Sequence, residues 1–341
     1  MSRAPKQPII YQEKLNLSPE IIRFATPKEP AIYRAEKLKC NSLVEIGAGI
    51  GGQTLAFAKT CKKVLAIEIN KKDAEILKEN LEKLKIKNVE LIVGDALSKE
   101  VITKVEKFKP EIIFCDTARK PEGERLIKDI EPDIKKLLKE YSKITKKIAI
   151  EIPPFTKDID SLKEEFEKEF ISLDKKLNRL TLYFNELKEV ETSVISLPKK
   201  EKITSEKIET KVNEANSILN FSYLYEIDPA LTLAKLENEL ASSFELEKIK
   251  IENKEYFLSK KPYSSEFLSK YKILAVCENK FEEIIKNLNL LKSKKVILKF
   301  NISPENYWKE RKKYEEKLLT GELETYLFTN KNQAIIAKKV Q

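Results

Sequence analysis

Four of the seven glycines in this 341-residue chain fall between Gly47 and Gly52, in Val44-Glu45-Ile46-Gly47-Ala48-Gly49-Ile50-Gly51-Gly52. The loop follows a short apolar run and precedes a helical pattern. Glycine there lets the chain turn tightly and lets backbone N–H groups approach a ligand closely. Gly47, Gly49 and Gly52 also fit the dinucleotide spacing G-x-G-x-x-G, so the loop alone predicts a nucleotide-like ligand and no more.

Three carboxylates narrow the chemistry. Glu45 stands two residues before the first glycine, Glu68 ends the next apolar run, and Asp95 follows Gly94 at the end of the third. A carboxylate at Glu68 can accept both hydroxyls of a ribose, as NAD also requires. The acidic residue at 95, placed to meet an adenine amino group, favours S-adenosylmethionine (SAM) over NAD. The expected cofactor-binding set is Glu45, Gly47, Gly49, Gly51, Glu68 and Asp95. Each carboxylate has a plainer alternative: a helix-end charge, an exposed strand end, a turn.

The reacting centre is expected at Asp116, which ends a fourth apolar run beside the cofactor. Enzymes that methylate amines place Asn or Asp there, followed by two prolines and an aromatic. The side-chain oxygen accepts an amine N–H and aims the nitrogen lone pair, so catalysis is largely positioning. Here Thr117 and Ala118 replace the prolines and Arg119 replaces the aromatic. Arg119 can hold a phosphate or stack on a base. Phe155, in Glu151-Ile152-Pro153-Pro154-Phe155, can supply the missing ring, with core packing as its alternative. Candidate contacts to RNA are Arg125, with surface salt bridging as its alternative, and Lys294, Lys295, Arg311 and Lys312, with a merely solvated surface as theirs.

The elements that must carry these residues alternate. Strands are predicted at Leu43–Ile46, Val64–Ile67, Val89–Val93, Ile112–Cys115 and Ile148–Ile152, with helices at Gln53–Cys61 and Lys72–Leu84. That alternation implies an α/β fold with a parallel sheet of Rossmann-like type. A helix at Ile159–Phe170 and a hairpin of Leu180–Phe184 with Thr192–Leu197 are expected to end it. Residues 1–40 read as a helical lead-in, with helix starts at Ser18-Pro19 and Thr26-Pro27. The lead-in is followed by the cofactor domain at 41–198, a charged linker at 199–213 and a smaller α+β domain at 214–341. In the last, a helix from Asp228 to about Leu240 and a β-α-β-α-β-β order over 272–338 predict a ferredoxin-like sandwich.

Composition removes other chemistries. The chain has no histidine, which excludes imidazole bases and most zinc enzymes. Its four cysteines are scattered and form no CxxC pair, so no metal is expected and a reducing, cytoplasmic setting fits. No apolar run is long enough for a membrane span. The net charge of +10 is uneven: residues 1–150 carry 31 basic and 22 acidic side chains. That excess suits a polyanion such as RNA, although a Lys-rich composition alone would also produce it.

Residues Val44 to Asp116 resemble class I SAM-dependent methyltransferases, and Gly51 to Ala58 resembles the loop of the RNA guanine-N2 methyltransferase group. From about residue 18 to 340 the chain is similar to prokaryotic methyltransferases with a C-terminal THUMP-like domain. The resemblance rests on Tyr33-Arg34-Ala35-Glu36-Lys37-Leu38, on Asp116-Thr117-Ala118-Arg119 with Gly123 to Arg125, and on Tyr225-Glu226-Ile227-Asp228-Pro229-Ala230. It implies SAM-dependent methylation of a base in tRNA or rRNA, with the second domain aiding RNA binding. The altered residues 117–119 leave two alternatives: a catalytically silent fold that binds RNA or a partner, or a methyltransferase for protein or small molecules.

Overall fold

A computed structural model describes residues 8–15, 25–119, 124–205 and 212–340, with the backbone alone at Arg119. The Ser18-Pro19 helix start and Gly123 lie outside the described residues. Two compact units divide the chain, Met1–Thr204 and Ser205–Gln341.

In the first unit α1 (Lys28–Lys37) begins one residue after Pro27 and precedes β1 (Ser42–Ile46), α2 (Thr54–Thr60), β2 (Lys63–Glu68), α3 (Lys71–Lys83) and β3 (Val89–Val93). Then come α4 (Lys99–Phe108), β4 (Ile112–Asp116), the short pair β5 (Ala118–Arg119) and β6 (Ile130–Glu131), α5 (Ile134–Tyr141) and β7 (Lys147–Ile152). β8 (Phe166–Leu173), β9 (Leu177–Asn185), β10 (Thr192–Leu197) and β11 (Glu201–Thr204) complete the unit. The nine-stranded sheet runs β11-β10-β8-β9-β7-β4-β1-β2-β3, with β3, β2, β1, β4 and β7 mutually parallel. The chain steps outward from β1 to β3 on one side and resumes with β4 on the other. The switch point therefore falls between β1 and β4, where such sheets open a crevice beyond the strands' carboxyl ends.

α1 is not a separate lead-in. Ala31, Ala35 and Leu38 join Ile10, Phe57 and Phe114 in one buried core. α3 shows why these helices form: the Asn70 side chain caps it by accepting the Lys72 N–H at 3.0 Å, and Ala74, Leu77 and Leu81 recur on its buried face.

The expected helix at Ile159–Phe170 is replaced by a three-residue 3₁₀ turn at Ile159–Ser161, and the end of that stretch begins strand β8. Its alternating Glu167 and Glu169 are fully buried and paired, which a helical reading of a charged stretch cannot anticipate. Glu169 accepts from Lys37 Nζ (2.7 Å), the Tyr33 hydroxyl (2.8 Å) and the Tyr183 hydroxyl (3.0 Å), and Glu167 from the Ser193 hydroxyl (2.5 Å). The hairpin is accordingly β8 with β9, antiparallel, while β10 lies parallel to β8. The stretch read as linker also begins later. Lys200, at φ 61°, turns the chain so that Glu201–Thr204 pairs antiparallel with β10. Its charged residues suit an edge strand.

The second unit opens with β12 (Tyr223–Ile227). Asp228 caps α6 (Pro229–Ala234) by accepting the Ala230 N–H at 2.7 Å. The left-handed Lys235 (φ 58°) breaks the expected long helix, and α7 (Glu237–Ser242) follows. β13 (Glu247–Ile251), β14 (Lys254–Ser259), β15 (Leu268–Glu278), α8 (Phe281–Leu290), β16 (Ser293–Leu298), α9 (Tyr307–Glu315), β17 (Leu323–Thr329) and β18 (Gln333–Lys339) complete it. The expected β-α-β-α-β-β order runs from β15 to β18. β12, β13 and β14 extend it to a seven-stranded sheet, β13-β14-β12-β15-β18-β17-β16, in which β16 and β17 pair in parallel. No helix among the described residues is long and apolar enough to cross a membrane.

Candidate active site

The turn from β1 into α2 is shaped by what crowds it. Gly47 has φ 78°, and a Cβ there would lie 2.2 Å from the Asp116 carbonyl oxygen. The loop therefore lies directly against the end of β4, which only glycine permits. Gly47 and Ala48 donate to the Ile67 carbonyl (2.9 and 3.1 Å), and Gly49 donates to Glu68 Oε2 at 2.6 Å.

Around this turn lies a cavity of about 390 Å³. Of the residues expected from the sequence, Glu45, Gly47, Gly49 and Asp116 line it. Gly51 does not: a Cβ there would meet Leu77 Cδ1 at 2.6 Å, so its place is in helix packing. Glu68 is buried at the end of β2 outside the lining, and its carboxylate bridges the N–H groups of Gly49 and Asn70 (2.8 Å). Asp95 is exposed in the loop after β3, where Oδ1 accepts the Leu97 N–H at 2.8 Å.

Sequence reasoning missed Ala25, Thr26, Gln53 and Asp73, which also line the cavity. The first two are brought in by Gly52, where a Cβ would come within 2.9 Å of the Thr26 nitrogen. It also missed Arg34, fully buried on α1. Arg34 donates to Gln53 Oε1 (2.8 Å) and to Thr181 Oγ1 (3.3 Å) and forms an ion pair with Glu151. Arg179 binds the other Glu151 oxygen at 2.8 Å. One signal was legible: Arg34 falls among Ala31, Ala35 and Leu38 on the apolar face of α1.

The carboxylates here are unevenly satisfied. Glu45 is buried, and its Oε2 has no hydrogen-bond partner among the described residues; neither has the buried Thr54 hydroxyl. Burial holds Glu45 well above the usual carboxylate range. Asp116 is pushed up to about 7, first by burial and then by the charge of Glu151, with Arg179 and Arg34 opposing. Burial works against the charge of Arg34, but Glu151 together with Tyr183, Asp116 and Glu169 outweighs it and holds the guanidinium above its ordinary value.

At the same edge of the sheet, Thr117 Oγ1 donates to the Glu151 carbonyl (2.7 Å). Phe155 follows β7 with 56% of its surface exposed, and the Arg125 guanidinium lies 5.7 Å from its ring centre. Arg125 itself is left-handed (φ 66°), held by a hydrogen bond from the Lys157 N–H to its carbonyl (2.9 Å). Arg119 is placed by backbone pairing with Ile130, and its side chain lies outside the described residues. In the second unit Lys295 pairs with Glu324 (2.5 Å), Arg311 with Glu315 (2.7 Å) and Lys312 with Glu316 (3.4 Å), while Lys294 is exposed. Among the described residues no cluster of three or more His, Cys, Asp or Glu is arranged to hold a metal ion.

A Rossmann-like sheet with a glycine turn and a cavity lined by carboxylates at its switch point defines the class of SAM-dependent methyltransferases. The fit to a cationic cofactor is physical: Glu45 lines the cavity, one of its carboxyl oxygens has no hydrogen-bond partner among the described residues, and an ammonium or sulfonium charge beside it would favour its ionised form. Residues 40–222 match the model of the RNA cap guanine-N2 methyltransferase family, and the chain belongs to that family. Its cofactor is SAM. The crystal structure of a candidate methyltransferase from Porphyromonas gingivalis W83 shares the fold, with TM-score 0.75 over 95% of this chain and 83% of that one at 19% identity. A cobalt-precorrin-6B C(15)-methyltransferase (decarboxylating), so named in Methanocaldococcus jannaschii, is 34% identical over 102 residues, 30% of this chain and 52% of the relative. A protein of Methanosphaera stadtmanae named as ribosomal RNA small subunit methyltransferase A is 50% identical over 56 residues, 16% of this chain and 21% of the relative. The chain thus spans about half the length of the first of these relatives and about a fifth of the second.

Proposed function

We propose that this methyltransferase acts on a base in RNA, tRNA or rRNA, at the cleft between β1 and β4. The observation that carries the reading is the exposed Phe155 ring, overlain by Arg125, at the edge where Asp116 ends β4. An exposed aromatic with a guanidinium on its face is a surface on which a base can stack. The excess of basic residues in the first 150, the family match and the rRNA methyltransferase relative support the same substrate class. On this reading the enzyme meets its RNA in the cytoplasm.

SAM supplies an electrophilic methyl group. Glu45 and the glycine turn would face its amino-acid end, Glu68 its ribose and Asp95 its adenine. Asp116 accepts an N–H of the acceptor base, aims the nitrogen lone pair and takes up the released proton, a role suited to a carboxyl that titrates near neutrality. Arg119 holds the neighbouring phosphate. The second unit, THUMP-like on this reading, adds RNA contacts through Lys294, Lys295, Arg311 and Lys312.

The test is transfer of labelled methyl from SAM to unmodified total RNA and, in parallel, to a protein extract. Label is expected in RNA, falling by about 10²–10³-fold in Asp116→Ala. Label confined to protein would move the substrate class. SAM binding with no label in either would favour the silent fold that residues 117–119 leave open.

A further inference from the structure

Beneath Asp116 lies an arrangement that cofactor binding alone does not require. Asp116 and Glu151 are register partners on parallel strands β4 and β7, and Glu151 is the partner of Thr181 on β9. Glu151 is 3% exposed and is clamped on both oxygens: Arg34 from α1 on one, Arg179 from β9 on the other. Arg34 also reaches Gln53, so the clamp connects the acceptor end of the cleft to the cavity wall. Its terminal nitrogens bind Gln53, Glu151 and Thr181, while its Nε has no partner among the described residues.

We propose that Arg34, Glu151 and Arg179 form a positioning triad under the methyl-transfer site, in which Glu151 governs the charge that Asp116 presents to the cofactor cavity. The physical basis is a count of charges. Asp116 is faced by Glu151 from β7, Arg179 from β9, Arg34 from α1, Glu68 from β2 and Glu45 from β1. Three carboxylates therefore oppose its ionisation and two guanidiniums favour it. A single buried pair of Arg34 with Glu151 would be neutral; the second guanidinium makes the triad positive, so that the carboxylate between them can be tuned from either side. Arg179 keeps a quarter of its side chain exposed, which makes it the adjustable end. This inference rests on the placing of Asp116 at the methyl-transfer site but not on RNA as the substrate.

The experiment compares the affinities of SAM, a cation at sulfur, and S-adenosylhomocysteine, its neutral thioether product, by calorimetry between pH 5.5 and 9. An ionised Asp116 favours the cation, so the SAM preference is expected to rise by about tenfold with a midpoint near pH 7. Glu151→Gln removes the neighbouring negative charge and should lower that midpoint by about one unit or more. Arg179→Gln removes an opposing positive charge and should raise it. Asp116→Asn should abolish the step. The ligands' own titration is common to all four proteins and cancels between them. A merely structural triad would not move the midpoint in opposite directions, so midpoints that stay together, or move the same way, overturn the proposal. Should Glu151→Gln fail to fold, Arg179→Gln at the exposed end decides alone: an upward shift supports the triad and an unmoved midpoint sinks it. Both results are read without any RNA, so a failure here is distinct from a failure to label RNA.

Discussion

Two carboxylates, one in each unit, are driven in opposite directions. Asp116 is pushed up to about 7, by burial and by a like charge at Glu151. Glu226 is also largely withdrawn from water, which would raise it, yet it is pulled down to about 2. The difference is in partners. Glu226 accepts from Lys254 (2.5 Å), Lys299 (2.9 Å) and the Tyr271 hydroxyl (3.1 Å), so its charge is fully compensated. Asp116 has two guanidiniums nearby, but both are committed to Glu151. Compensated charge holds a fold together, whereas uncompensated charge raises the energy of the free protein and is relieved by a ligand of opposite sign. The second unit uses its charges for structure and the first withholds some for chemistry.

The largest test of this contrast is steric. Gly47→Ala and Gly321→Ala would each place a Cβ 2.2 Å from a carbonyl oxygen, that of Asp116 in the first unit and of Lys292 in the second. Both should destabilise by roughly 2–4 kcal/mol. Gly47 also has a positive φ, which adds strain. Thermal melts with and without SAM separate them: the cofactor-induced rise in Tm should vanish in Gly47→Ala and survive in Gly321→Ala. Loss of that rise in both would mean that the cleft depends on the second unit and that the contrast is misdrawn.

The next effect is read against pH. Asp116 holds a proton in the folded state that the unfolded chain releases above about 3.8. Its contribution is complete below that value and lost as pH rises through about 7. Asp116→Asn, which cannot ionise, should therefore match the parent near pH 4 and exceed its stability at pH 8 by on the order of 2 kcal/mol. Glu226 behaves oppositely. Its contribution is present above the unfolded value of 4.5 and lost as pH falls toward 2. Glu226→Gln should cost on the order of 2 kcal/mol at pH 7 and little near pH 2. Denaturant unfolding followed by circular dichroism at both ends of the range measures each; curves of the same sign would end the comparison.

How much of this was legible depended on whether charge and burial agreed. β1, its glycine turn and α2 were readable because an apolar run, a glycine cluster and a helical pattern all point the same way. β8 was not, because Glu167 and Glu169 lie within it, and their burial is bought by Lys37, Tyr33, Tyr183 and Ser193, distant in sequence. Arg34 and Glu151 show the same limit: each sits in an otherwise apolar pattern, Arg34 beside Ala35 and Glu151 between Ile150 and Ile152, and the partner that makes it tolerable is 117 residues away. Glu45 was found because it stands next to glycines that mark a ligand. Ala25 and Thr26 carry no chemical signal, and their place in the cavity follows only from how the chain before α1 passes Gly52.

The smallest effect is expected in the second unit's own cations, and it asks whether that unit spends all its charge on itself. Lys312 lies 3.4 Å from Glu316, and Arg311 is bound at 2.7 Å to Glu315. To serve a phosphate, each must give up its pair; the exposed pair of Lys312 contributes only ~0–1 kcal/mol, so it weakens an RNA contact without forbidding it, whereas Arg311 is largely buried in its pair. Lys294 is exposed on β16 and has no such pair to break among the interactions of the described residues. If this face meets RNA, Lys294→Ala should reduce the slope of log affinity against log salt by about 0.7–0.9, the release of one counterion. Lys312→Ala should reduce it by less. Equal reductions would show that the pair with Glu316 opens freely when RNA is present. No reduction in either would confine the RNA contacts to the first unit, and the division between chemistry and structure would then hold for the partner as well as for the cofactor.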